Sequence, residues 1–222
     1  MLNNLFILML YLSAANASLS TSPITTGHHS LERVQASKMN GSEPAGAKPI
    51  ETLLHDKLLN DPSSPVVGAQ HPALKIVSFV NYDCSHCQAL DSSLERLLKN
   101  YPQVAITYKL IASGSETSIA VTRTALTVWN QHPDRFHTFH HALMTHANLG
   151  KDERIRTASK IAGLNISGYG PDVDASIHVN MELLETLHYS GTPTTIIGNT
   201  ILQGEVSYDM LERVIDQALK SG

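Results

Sequence analysis

The chain of 222 residues has two cysteines, one tryptophan and 5% aromatic residues, and no charged residue before Glu32. Two cysteines are too few for a small fold stapled by several disulfides, and without a second pair they do not make a four-cysteine zinc site. No run approaches the roughly 18 consecutive apolar residues of a membrane span, so a soluble mature chain is expected. There is no dense basic stretch either: 16 Lys and Arg stand against 20 Asp and Glu, a formal net charge of −4. That balance gives no footprint for nucleic acid or an anionic membrane surface, and protein or small thiol partners fit it better. What is present is a hydrophobic fraction of 42%, enough for the core of one domain plus an extension.

Leu5 to Leu12 form an apolar stretch that runs into Ser13-Ala14-Ala15-Asn16-Ala17. Small residues at 15 and 17 match a signal-peptidase site, so residues 1–17 read as a signal peptide cleaved after Ala17, with an n-region that lacks Lys and Arg. The periplasm or the cell exterior is the expected location, an oxidising compartment in which a cysteine pair can act as a redox centre. Residues 18–70 read as an N-terminal extension or linker. Its first part, to residue 49, is rich in Ser, Thr, Gly, Pro and Ala, with a short helix near Ser30–Met39. A second helix is expected from Ile50 to Asn60, stopped by Asp61-Pro62.

Residues 71–222 carry the patterning of one α/β domain. Leu74 to Asn81 alternates with apolar residues on both sides, as a central strand does. Leu90, Leu94, Leu97 and Leu98 then fall at i, i+4, i+7 and i+8, and Asn100-Tyr101-Pro102 ends that helix. Val104, Ile106, Tyr108 and Leu110 alternate again and complete a βαβ unit. From about 115 to 188 no strand pattern occurs. Helices are expected near Glu116–Gln131, Phe136–Thr145, Asp152–Ala162 and Asp172–His188. A hairpin follows, Thr194–Ile197 and Thr200–Gln203 about a Gly198-Asn199 turn, then a helix capped by Ser207 that turns Met210, Leu211, Val214, Ile215 and Ala218 inward.

Both cysteines lie in one motif, Cys84-Ser85-His86-Cys87, between the first strand and its helix. The unpaired N–H groups and positive dipole end of a helix start favour a thiolate on the first cysteine, and an imidazolium at His86 pushes the same way. A purely structural bridge is disfavoured, because a two-residue spacer closes a very small loop and removes little unfolded-state entropy.

With this dithiol, the helical block and Gly191-Thr192-Pro193 before the hairpin, the chain resembles the DsbA family of exported thiol–disulfide oxidoreductases over about Leu53 to Leu219. The resemblance implies a thioredoxin-like fold with an inserted helical domain. It implies Cys84 as the exposed nucleophile, Cys87 as the buried resolving cysteine, and His86 as a group that stabilises the reduced form. Pro193 corresponds to the family's cis-proline, with Thr192 offering its backbone to an extended substrate segment. No cofactor beyond the redox-active Cys84–Cys87 disulfide is implied, and no metal.

Three positions depart from the family pattern. Ser78 stands where many members carry a buried acid that shuttles protons; Asp83 is the alternative shuttle, or else a helix cap. Ser85 replaces a common proline, and Thr192 a valine, which resembles the isomerase and reductase branch. Three functions therefore stay open. The first is an oxidase that donates disulfides to reduced or misfolded secreted proteins and is reset by a membrane thiol oxidase or reductase of the DsbB or DsbD kind. The second is a homodimeric isomerase or reductase of the DsbC or DsbG type, assembled through the N-terminal extension. The third is a non-catalytic secreted binding protein with a structural disulfide.

Twelve histidines raise metal binding as an alternative, above all His137, His140 and His141 on one expected helix. Phe136, Phe139, Leu143 and Met144 define its buried stripe, which places most of these histidines at a solvated edge, with no acidic or cysteine ligand at ligand-like spacing nearby, so metal binding is not expected. Trp129 is expected in the core of the helical block.

Overall fold

In a computed structural model of the chain, the described residues are 50–112 and 114–221. The expected signal peptide, the linker to residue 49 and the helix near Ser30–Met39 lie outside them. The chain divides into two units, residues 1–54 and 55–222, and the second holds the sheet and the dithiol.

The described elements run α1 (Ile50–Leu59), β1 (Val66–Gly68), β2 (Leu74–Val80), α2 (Ser85–Asn100), β3 (Val104–Leu110), α3 (Glu116–Gln131), α4 (Pro133–Thr145), α5 (Lys151–Ala162), α6 (Val173–Thr186), β4 (Thr194–Ile197), β5 (Thr200–Gln203) and α7 (Tyr208–Ser221). The strands form one sheet in the order β1-β3-β2-β4-β5. Only β2 and β3 are parallel, as a βαβ crossover through α2 requires. Strand β4 runs antiparallel to β2, with Thr194 opposite Phe79, and this register brings Pro193 to the carboxyl end of β2 where the dithiol begins.

The buried face of α2 carries Leu90, Leu94 and Leu97 at heptad-like spacing, and Leu98 packs partly buried beside them. Each such leucine contributes about 1.5–3 kcal/mol through apolar burial. The same stripe buries Asp91. Helices α3 to α6 are inserted between β3 and β4, as expected. Pro133, read as a break, instead opens α4 as a first-turn residue, where its missing N–H costs nothing.

Three expectations differ from the structure. Val66–Gly68, within the stretch read as extension, is an edge strand antiparallel to β3; three residues are too few to show a period. Gly68 has φ +112°, and a Cβ there would stand 2.4 Å from the Val104 carbonyl oxygen, so only glycine fits. Met210, placed inward by periodicity, is 37% exposed, while Leu211 and Ile215 are buried. His140 does not sit at a solvated edge: it is fully buried against Tyr82, Tyr108 and Phe136.

Candidate active site

Where β2 ends, residues Asn81 to Asp83 turn the chain and Cys84, in extended conformation (φ −86°, ψ 114°), is the N-cap of α2. Its sulfur accepts the Cys87 N–H at 3.4 Å, one of the donors a helix start leaves unpaired. Asp83, expected as a possible cap, does not occupy that place. The Cys84 thiol also donates to the Thr192 carbonyl at 3.3 Å, across a Thr192–Pro193 peptide bond that is cis. Residues 108 positions apart in the sequence are thereby joined at one sulfur.

The two sulfurs differ in setting. Cys84 is half-buried, whereas Cys87 is buried and accepts the Asn81 N–H at 3.5 Å. Burial pushes the Cys87 thiol up to about 12, so it holds its proton at neutral pH. His86 and Glu205, both exposed, pair at 3.1 Å beside a cavity of about 420 Å³ lined by His86, Gly204, Glu205, Val206 and Ser207.

The loop before Cys84 is tied to the inserted helices. Arg154 of α5, itself buried, donates to the Tyr82 carbonyl at 2.8 Å, the Leu143 carbonyl at 2.9 Å and Asp83 Oδ1 at 3.2 Å. Ser115, the N-cap of α3, donates its hydroxyl to the other Asp83 oxygen. Asn81 Oδ1 accepts both the Asp83 N–H and the Ser118 hydroxyl at 2.9 Å. The Asp83 carboxylate is thus turned to Arg154 and Ser115. Ser78 is fully buried, and its hydroxyl has no hydrogen-bond partner.

Sequence reasoning missed Arg154, Ser115, Asn81 and Glu205. Arg154 did leave a signal: with Ala158 and Ala162 it makes the buried stripe of α5 at i, i+4, i+8, and an arginine on such a stripe needs carbonyls or acids to meet it.

A sulfur presented at a helix start, a second one sheltered three residues on, and the Thr192 carbonyl opposite them suit transfer of a disulfide through a mixed-disulfide intermediate. On this sheet, that chemistry defines a thiol–disulfide oxidoreductase.

Known proteins agree. Residues 60–217 match the family model described as Thioredoxin. A periplasmic thioredoxin-like protein from Salmonella enterica serovar Typhimurium is 38% identical over 78% of this chain and 99% of that one, with a TM-score of 0.74. The catalytic domain of Proteus mirabilis ScsC is 34% identical over 76% of this chain and 96% of that one, with a TM-score of 0.72. Disulfide bond formation protein D of Bacillus subtilis (strain 168) is 21% identical over 75% of this chain and 83% of its own length. The chain belongs to the thioredoxin family and is a thiol–disulfide protein of the DsbA type. No helix among the described residues is long and apolar enough to cross a membrane.

Proposed function

We propose that this protein is exported and oxidises dithiols of secreted proteins, passing them the Cys84–Cys87 disulfide. The observation that carries this reading is the pairing of a half-buried Cys84 sulfur at the start of α2, against the Thr192 carbonyl, with a buried Cys87 three residues on. A substrate thiolate attacks Cys84; the Cys84–Cys87 bond breaks, and the electron pair goes to the Cys87 sulfur, which takes up a proton because burial favours its thiol. The second substrate thiolate then attacks the substrate sulfur of the mixed disulfide and expels Cys84 as a thiolate. Two electrons have moved from substrate to protein, and a membrane thiol oxidase takes them away.

In this reading Pro193 and the Thr192 backbone hold the substrate segment in extended form, and His86 supports the thiolate as its pairing with Glu205 allows. Asp83 acts by bracing the loop through Arg154 and not as proton shuttle, since its carboxylate engages Arg154 and Ser115. Thr192 before Pro193 favours a second reading, a disulfide isomerase or reductase working through the same mixed disulfide.

Reactivation of reduced and of scrambled ribonuclease separates the two, with Cys84→Ser as control. Recovery from the reduced form alone supports the donor; recovery from the scrambled form moves the function to isomerase. No activity beyond that of the Cys84→Ser control in either assay overturns both.

A further inference from the structure

Helices α2 and α4 face each other with two carboxylates on one and two imidazoles on the other. Asp91 and Glu95 stand four residues apart on α2, His137 and His141 four apart on α4, so each pair shares one side of its helix. His141 Nδ1 lies 2.8 Å from Asp91 Oδ2 and 4.0 Å from Glu95 Oε1. One atom from each of Asp91, Glu95 and His141 falls within 4.8 Å of the others. His137 Nε2 is 2.6 Å from the same Glu95 oxygen. The acidic groups that the sequence reading did not find near these histidines are therefore supplied by α2.

The cluster is graded in depth. Side-chain exposure is 2% for Asp91, 14% for Glu95, 41% for His141 and 44% for His137. The acids lie deep and the imidazoles at the rim of a cavity of about 370 Å³ that also touches Thr145 and His146. Behind the acids, buried His140 shares a hydrogen bond with the Tyr82 hydroxyl at 2.8 Å through Nδ1. Its Nε2 is 3.2 Å from Asp91 Oδ1, yet neither atom makes a well-formed hydrogen bond. The outer oxygen, Oδ2, is the one turned to His141 and to the rim of the cluster.

We propose that Asp91, Glu95, His137 and His141 bind a divalent transition-metal ion, with Zn²⁺ as the representative, and that this ion joins α2 to α4. Two imidazole nitrogens with two carboxylate oxygens suit zinc-like ions, whereas Ca²⁺ and Mg²⁺ take oxygen shells. Asp91, Glu95 and His141 form the three-atom group within 4.8 Å, and His137 joins it through Glu95; the contacts of 2.8 Å (His141–Asp91), 4.0 Å (His141–Glu95) and 2.6 Å (His137–Glu95) fall on either side of the separation of about 3.3 Å expected between ligands about 2.0 Å from zinc. His140 stands behind Asp91, 3.2 Å from its inner oxygen, and through its hydrogen bond to Tyr82 leads back to the loop two residues before Cys84. The site is separate from the sulfurs, so its failure leaves the exchange reaction as described.

The test uses the full chain, free of any tag, in its oxidised form, so that the Cys84–Cys87 disulfide withholds both thiolates. Calorimetric titration with ZnCl₂ is expected to give one ion per chain, with CaCl₂ giving none, and Zn²⁺ alone raising the thermal midpoint. The double variant His137→Gln/His141→Gln changes two surface positions and should weaken zinc binding by about tenfold to a hundredfold or more. Co²⁺ added to the unaltered chain should show the visible bands of four-coordinate nitrogen and oxygen ligation, a readout that needs no variant. Absence of zinc binding, equal binding by the double variant, or equal affinity for Ca²⁺ overturns the site and leaves four side chains in ion pairs.

Discussion

Arg154 Nη2 donates to the carbonyl of Tyr82 at 2.8 Å, so a residue of the inserted helices holds the backbone two positions before the half-buried Cys84. The same guanidinium meets the Leu143 carbonyl and Asp83. Arg154→Met strands these acceptors and is expected to cost about 3–5 kcal/mol in urea unfolding. Arg154→Lys keeps the charge but lacks the planar fork. It should recover part of the stability while the rate of Cys84 alkylation stays altered, since one ammonium cannot hold Tyr82 and Asp83 as the fork does.

Cys87 offers a direct check of the two-sulfur asymmetry. With its thiol pushed up to about 12 by burial, it stays protonated across the neutral range. Iodoacetamide at pH 7 should label the reduced protein once, at Cys84, by peptide mass spectrometry. In the Cys84→Ser variant labelling should fall close to zero and insulin reduction should stop. Two labels at equal rates would overturn the assignment.

Lys109 is a buried cation on the interior strand β3 and donates to Ser64 Oγ at 2.7 Å, to Asp61 Oδ2 at 3.1 Å and to the Lys57 carbonyl. Asp61→Asn leaves that ammonium without its counter-charge, an expected loss of about 3–5 kcal/mol. The double variant Asp61→Asn/Lys109→Met should be less unstable than the sum of the two singles, measured by a denaturant cycle.

The same pair gives a pH dependence. Burial raises the Asp61 carboxyl, but hydrogen bonds from Ser63 and the charge of Lys109 outweigh it and hold the group below its ordinary value. A carboxyl depressed in the folded state stabilises the protein above the unfolded value of about 3.9, and that contribution disappears as pH falls through the lower folded value. Wild-type stability should therefore drop on acidification below about pH 4 more steeply than that of Asp61→Asn, in unfolding curves taken at a series of pH values.

Gly68→Ala should destabilise by about 1–3 kcal/mol or more, because φ +112° is strained for any residue with a Cβ and the methyl would meet the Val104 carbonyl. The loss should appear in thermal unfolding with the exchange chemistry intact.

Periodicity sufficed for the elements that contact many neighbours of their own kind. Leu90, Leu94 and Leu97 announce α2, and the alternation from Leu74 announces β2, because burial on a helix or a sheet writes a period into the chain. The dithiol and the Thr192-Pro193 pair were legible as motifs, while the 3.3 Å link between Cys84 and Thr192 needed the β2–β4 register to exist. Strand β1 was not legible, being three residues long. Nor was the company of His137 and His141: Asp91 and Glu95 reach them from α2, some forty residues earlier, and no local pattern records which helix face a partner will meet.

In the proposed reaction Cys84 is at once the sulfur that a substrate thiolate attacks and the N-cap acceptor of its own helix. When that sulfur bonds to another it ceases to be a free thiol, so each turnover changes the hydrogen bond that it takes from the Cys87 N–H in the first turn of α2. The Cys87 amide is thus a built-in gauge of redox state: its proton resonance and exchange rate report, without any label, whether the chain is dithiol, mixed disulfide or closed.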